Sequence, residues 1–166
     1  MICSSAIRSQ KVFEQLGQAD SDKVVVRLGG IYALEGVMNT SEQYHQPVLE
    51  VLCAFVRDST RTETGDGPPA TDIRAALTVI RRRKSVGTGY ADLTNAHIPK
   101  AELGDADLRG AYLNRANLNR AELNGADLSD AHLRGADLRG ANLSGANLSN
   151  ARLNGLSLAR RLPKRR

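Results

Sequence analysis

The chain has no tryptophan, two phenylalanines and four tyrosines, so aromatic residues make up only 4% of its 166 positions. Large rings usually dominate cores and binding pockets. Their scarcity makes any core here aliphatic and removes the ring platform on which proteins stack single-stranded bases. Two cysteines, Cys3 and Cys53, stand fifty residues apart without a second pair. That spacing excludes a disulfide framework or a zinc motif, and Cys53 reads as a small core residue. The longest unbroken apolar run, Val51 to Val56, is six residues, against the roughly 18 that a spanning helix requires. Met1-Ile2-Cys3-Ser4-Ser5 opens no long apolar stretch of the kind a secretory signal contains. The expectation is a cytoplasmic protein with no membrane span.

Groups that could carry catalysis are equally sparse. His45, His97 and His132 show no HExxH or other metal-binding spacing. Neither a G-x-S-x-G elbow nor a P-loop occurs. Gly87-Thr88-Gly89 lacks the further glycine and acidic partner of a dinucleotide site and reads as a linker. No catalytic residue, metal or cofactor is expected, and the chain is not expected to be an enzyme.

What the sequence has in abundance is repetition. From Ala91 it reads ADLTN, AHIPK, AELGD, ADLRG, AYLNR and onward to LSLAR, fourteen five-residue units without a break. The third position is Leu or Ile from Leu93 to Leu158, and the first is Ala from Ala91 to Ala151, with Leu156 the one departure. On an α-helix a step of five rotates each leucine about 140° from the last, leaving no apolar stripe. On a straight strand an odd step would alternate the leucines between faces. The chain must therefore turn once per unit, forming a coil with short sides, a Leu and Ala interior and a polar exterior. Successive coils stacked about 4.8 Å apart would pair their backbones.

These A-(D/N)-L-x-x units, from Ala91 to Arg160, resemble the pentapeptide-repeat family. The resemblance implies a right-handed, four-sided parallel β-helix with four repeats per coil. Fourteen units then make three and a half coils, a rod of about 17 Å.

The first half is patterned differently. Leu28, Ile31, Leu34 and Val37 or Met38 recur at helical spacing; so do Val48 or Leu49, Leu52, Phe55 and Val56, and then Ile73, Ala76, Leu77 and Ile80. Ser21 or Asp22, Ser41, and Thr71 or Asp72 read as start signals, and Arg81 to Lys84 suits the last helix's C-terminal dipole. Val12, Phe13 and Leu16 suggest one more short helix. The expected fold is mixed: an N-terminal segment over 1–23, a helical region over 24–86 with a loop at 59–70, the β-helix over 91–160 and a basic tail over 161–166. Val26–Glu35, Val51–Arg57 and Pro69–Ile80 are also similar to the segment preceding the repeats in some bacterial family members. Several of those carry a membrane-spanning region first, which is not expected here. An open β-helix end exposes unpaired backbone, so the helices are expected to cap the first coil. Pro163 and the terminal charges would blunt the other end.

Charge is arranged rather than merely abundant. The formal net charge is +5, and Arg160, Arg161, Lys164, Arg165 and Arg166 account for that excess. With four repeats per coil, residues twenty apart share a side. Two adjacent sides then carry Lys100, Arg115, Arg120, Arg134, Arg139, Arg152 and Arg160 against Asp92 and Asp137. The other two carry Glu102, Asp105, Asp107, Glu122, Asp127 and Asp130 against Arg109. The rod is expected to have a basic edge and an acidic edge.

The leading expectation for function is a non-catalytic scaffold or protein-interaction module whose partner is an unknown protein. A second reading is weak, nonspecific polyanion binding, to nucleic acid or an anionic membrane surface, through Arg81 to Lys84 and the terminal basic residues. Resemblance supplies a third, because some relatives imitate DNA and regulate the topoisomerase gyrase. Imitation calls for a long acidic rod, whereas residues 91–160 carry eight charges of each sign, which argues against gyrase.

Overall fold

The structure is a computed structural model that describes residues 24–83 and 89–158. Cys3, the short helix expected near Val12, the signals Ser21 and Asp22, Lys84, Gly87, Thr88, Arg160 and the tail 161–166 lie outside the described residues.

The three apolar stripes of the first half form α1 (Val24–Met38), α2 (His45–Thr60) and α3 (Thr71–Arg82), with a 3₁₀ turn, Glu42–Tyr44, leading into α2. Ile31, Leu34 and Met38 of α1 are buried with Leu49, Leu52, Cys53 and Val56 of α2 and Ile73, Ala76, Leu77 and Ile80 of α3. The expected start residues Ser41, Thr71 and Asp72 stand where the 3₁₀ turn and α3 begin. Ser41 precedes the 3₁₀ turn and makes no side-chain capping bond. Thr71 is itself the first residue of α3. Asp72 accepts from the first-turn Ile73 N through Oδ1 at 3.0 Å and from Arg27 Nε through Oδ2 at 2.6 Å, and the Arg27 and Asp72 side chains are both about nine-tenths buried. A guanidinium held in the core needs a carboxylate partner, which is why Asp72 turns toward α1. The connection between α2 and α3 begins after Thr60 rather than at residue 59.

In the second half each unit sends its second residue outward into a parallel bridge with the residue twenty positions on. Asp92 pairs with Tyr112, His97 with Asn117, Glu102 with Glu122 and Asp107 with Asp127, and the series continues to Asp137 with Ser157. Four units therefore close one coil. Its sides, A to D, carry the columns Asp92-Tyr112-His132-Arg152, His97-Asn117-Asp137-Ser157, Glu102-Glu122-Asn142 and Asp107-Asp127-Asn147. Among the described residues the bridges are isolated and no continuous strand forms. A side spans three residues before the next two-residue turn, which leaves room for one bridge.

The unit's sequence follows from where its five N–H groups go. In the unit starting at Ala111, Ala111 N donates to Leu108 O, Tyr112 N to Ala91 O, Leu113 N to His132 O and Arg115 N to Arg134 O, all within 3.0 Å. The remaining N–H, on the fourth residue, is served by the side chain of the second wherever that residue is Asp or Asn. Asp107 accepts from Arg109 N, Asn117 from Asn119 N, Asp127 from Ser129 N and Asn147 from Ser149 N. Asp and Asn recur at position two because a short side-chain oxygen can fold back on its own turn. Where His132 occupies that position, Asn114 of the preceding coil accepts from Arg134 N instead.

Every described fifth residue from Asn95 to Gly155 has a φ between +56° and +71°. This left-handed corner suits Gly, Asn and Asp. Lys100, Arg115 and Arg120 hold it too, at a cost of about 1–2 kcal/mol each. Inside the coils, the Ala and Leu positions from Ala91 to Leu138 are at most 1% exposed, and they form one continuous core with the helices.

The helices dock on the first coil as the sequence led us to expect, and they do so through its open backbone. In every lower coil the carbonyl of a bridging residue accepts from the coil before it; the first coil has none before it. Arg57 Nη1 donates to Asp92 O at 2.7 Å, Arg83 Nη2 to Asp107 O at 2.8 Å and Arg81 Nη1 to Gly104 O at 3.4 Å. His97 N donates to Thr60 Oγ1 at 3.1 Å. Side chains of α2, α3 and Arg83 thus replace the missing coil. At the other end Leu153 and Leu158 are 39% and 59% exposed.

Cys53 lies fully buried at this junction. Burial pushes its thiol up to about 12, against a smaller opposing effect from the Asp92 backbone. The thiol therefore stays protonated and unreactive at neutral pH. In a Cys3→Ser background, a thiol reagent at pH 8 should label Cys53 roughly a hundredfold more slowly than in denaturant. Equal rates would mean that the helices do not cover the coil. Because the folded pKa lies above the ordinary value of 9.0, this burial favours the folded state below about pH 9 and loses its contribution as pH rises toward 12.

Candidate interaction surface

The register places each charged residue expected on the rod. Corners between sides A and B carry Arg115 and Arg134; those between B and C carry Lys100, Arg120 and Arg139, and Arg152 closes column A. The expected basic edge is therefore two ridges flanking side B. Among the described residues Lys100, Arg115, Arg120, Arg134 and Arg152 make no ion pair. Their stems are supported: a Cβ on Gly135 would lie 3.6 Å from Arg115 Cγ, and one on Gly140 would lie 3.3 Å from Arg120 Cγ. Glycines in the next coil let the two long side chains lie along the rod.

Arg139 differs from its neighbours. Its Nε and Nη2 grip Asp137 at 2.6–3.0 Å, while its backbone N–H donates to the same carboxylate. These bonds hold the Asp137 carboxyl below the usual carboxylate range. Arg139 is thus matched within side B rather than offered outward. The sign of the pH effect follows: a depressed folded pKa stabilises above the ordinary carboxylate pKa, about 3.9, and is lost as pH falls through the folded value. Arg139→Ser, which places at this turn position the residue found at Ser129 and Ser144, should move the carbon-detected NMR titration of Asp137 upward. An unmoved titration would contradict the pairing.

The acidic edge is less available than its count implied. Glu102 pairs with Arg74 of α3 at 3.3 Å, Asp107 with Arg109 at 2.9 Å, and Asp92, counted against the basic edge, with Arg57 at 2.5 Å. The stacked carboxylates Glu102 and Glu122 would repel. Arg74 relieves the upper one, and Asn142 Nδ2 donates to the lower at 2.9 Å. Asn147 does the same for Asp127, at 3.1 Å. Asp105 and Asp130 sit at left-handed corners of sides C and D.

Two features escaped the sequence reading. Arg81 and Arg83 belong to the cap, so half of the cluster Arg81 to Lys84 is turned onto coil carbonyls rather than toward a polyanion. Burial lowers the Arg83 pKa, with Asp107 opposing that shift. Two of the tyrosines are also brought together with a histidine. Tyr90 and Tyr112 meet edge to face with centroids 6.4 Å apart, and Tyr112 meets His132 at 4.8 Å. Tyr112 and His132 stand twenty residues apart in one register position, so the repeat itself carried that signal.

A cleft of about 1020 Å³ opens beneath the 61–70 connection, with Arg27, Asp72, Thr60 and His97 in its wall. Its polar groups are engaged structurally. His97 Nε2 meets Gly65 O at 2.7 Å, and Asn117 Nδ2 donates to His97 Nδ1 at 3.2 Å. Because Asn117 Oδ1 accepts from Asn119 N, the amide is oriented and the Nε2–H form of His97 fits.

Comparison with known proteins agrees with this geometry. The pentapeptide-repeats family matches residues 90–125 and 116–155, in eight copies. No curated protein matches the chain. Among solved structures, the pentapeptide repeat protein Rfr23 of the cyanobacterium Cyanothece 51142 is 39% identical over 43% of this chain and 49% of that one, with a TM-score of 0.43. One from the thylakoid lumen of Arabidopsis thaliana is 32% identical over 58% of this chain and 64% of that one, with a TM-score of 0.27. HetL of Nostoc sp. strain PCC 7120, involved in heterocyst differentiation regulation, is 34% identical over 47% and 44%, with a TM-score of 0.26. The matches span between 44% and 64% of these relatives' length. No helix among the described residues is long and apolar enough to cross a membrane. With A-(D/N)-L-x-x units that close on themselves every twenty residues and a family match running across them, the repeat region of this chain belongs to the pentapeptide-repeat family.

Proposed function

We propose that the chain is a non-catalytic scaffold, a right-handed four-sided β-helix closed at one end by its own helices, which docks an acidic protein on the basic ridges of sides A and B. The observation that carries this reading is the contrast between the two edges. Four of the six carboxylates on sides C and D, Glu102, Asp107, Glu122 and Asp127, are engaged by Arg74, Arg109, Asn142 and Asn147, while Arg115, Arg120, Arg134 and Arg152 make no ion pair among the described residues. Exposed cations clustered on one side steer acidic partners and set specificity. A repeat fold with a rigid spine suits such a surface, because each residue is held by its coil rather than by a mobile loop.

The test is affinity capture with the intact chain and with Arg115, Arg134 and Arg152 all changed to glutamate, followed by binding of the purified captured protein. One protein retained by the first and lost by the second, with affinity falling as salt rises, is the expected outcome. Capture unchanged by the three substitutions, or abolished by nuclease, would overturn the scaffold reading.

A further inference from the structure

Side A brings together chemistry that no other side has. Tyr112 and His132 form an edge-to-face pair at 4.8 Å with an interplanar angle of 62°, and Tyr90 joins at 6.4 Å and 85°. Tyr90 is 49% exposed and Tyr112 39%. The ladder is built into the backbone: Tyr112 bridges His132, which bridges Arg152. Tyr90 lies against Gly110, where a Cβ would come within 2.4 Å of its ring. Along one margin run the corner residues Arg115 and Arg134, with the Arg115 stem over Gly135. Half-exposed rings bordered by arginines have the composition of a protein-binding hot spot, in which an aromatic anchor is desolvated and a charged rim selects the partner.

We propose that side A is the seat of an acidic, extended polypeptide segment of a partner protein. Tyr112 and His132 would bury its apolar side chains, while Arg115, Arg134 and Arg152 would receive its carboxylates. This rests on the scaffold reading and narrows it to one side and one partner chemistry. Charge complementarity selects an acidic partner. Ring geometry selects protein over single-stranded nucleic acid, because rings set at 62° and 85° give no parallel faces on which successive bases could stack.

The experiment measures fluorescence anisotropy of the full chain with three labelled probes: a twelve-residue peptide rich in Asp and Glu with two Phe, its Asn and Gln counterpart, and an oligo(dT) of similar length. One variant pair is Tyr112→Asn with His132→Asn, which installs the residue that Asn117, Asn142 and Asn147 already place at this position. The other is Arg115→Gly with Arg134→Ser, matching Gly135 and Ser129 at the equivalent positions. Unchanged thermal unfolding checks that each variant keeps the fold. The acidic peptide should bind, its amide counterpart at least about tenfold more weakly, and each variant pair should lose about tenfold. Loss with the arginine pair but not the ring pair would overturn the ladder and leave the scaffold reading standing. No loss with either pair, or no binding of the acidic peptide, would overturn both. Tighter, ring-dependent binding of oligo(dT) would overturn the protein partner in favour of nucleic acid.

Discussion

Leu118→Ala is expected to destabilise the chain by about 2–5 kcal/mol, the usual range for emptying a fully buried leucine site. Leu118 is 0% exposed, and it lies in the second coil with coils on either side. The cavity cannot collapse easily, because the flanking backbone is pinned by Leu118 N donating to Asp137 O and Ala121 N to Leu118 O. Leu158→Ala makes the control. That side chain is 59% exposed at the open end, so its loss should cost less than about 1 kcal/mol. Urea unfolding of the intact chain measures both. Equal effects would mean that the coil interior is not packed as described.

The second large effect concerns the cap. Arg57→Ala combined with Arg83→Ala removes the donors to Asp92 O and Asp107 O, and the Arg83 change also removes the donor to Gly89 O. Each carbonyl left without its partner costs about 1–3 kcal/mol, so the loss of all three should cost about 3–9 kcal/mol. The Arg57 share falls toward the lower end, because its side chain is 31% exposed and solvent can replace part of the bond. Urea unfolding should report the loss, and Cys53 labelling in the Cys3→Ser background should accelerate with it. A loss below about 0.5 kcal/mol with unchanged labelling would mean that the helices adhere by apolar contact alone.

How much of this was legible before the structure can be traced residue by residue. Leu93 to Leu158 at a spacing of five excluded helix and straight strand, and the four-repeat coil then put Glu102 over Glu122. The reason for Asp and Asn at position two was not legible, since it needed the fourth residue's N–H to be seen without a backbone partner. The fifth position was readable in principle. Its Gly, Asn and Asp content marks a positive φ, although Lys100, Arg115 and Arg120 blur that signal by tolerating it. Docking of the helices on the first coil was legible from the physics of an open sheet end. The means were not, because Arg57, Arg81 and Arg83 look like solvated charges until their carbonyl partners, more than twenty residues away in sequence, are known. The same limit applied to Asp72, whose partner Arg27 lies 45 residues earlier. Counting charges by side gave the placement of the basic and acidic edges but not their pairing. Arg139 with Asp137 and Glu102 with Arg74 are settled by side-chain geometry.

Binding on side A is the claim on which the functional reading turns, and a backbone-amide NMR titration with the acidic peptide tests it most directly. Perturbed resonances should fall in a vertical file, at Tyr112, Arg115, His132, Arg134 and Arg152, recurring at twenty-residue intervals with the intervening units silent. Perturbations centred on Glu102, Glu122 and Asp127, or confined to residues 159–166, would contradict it.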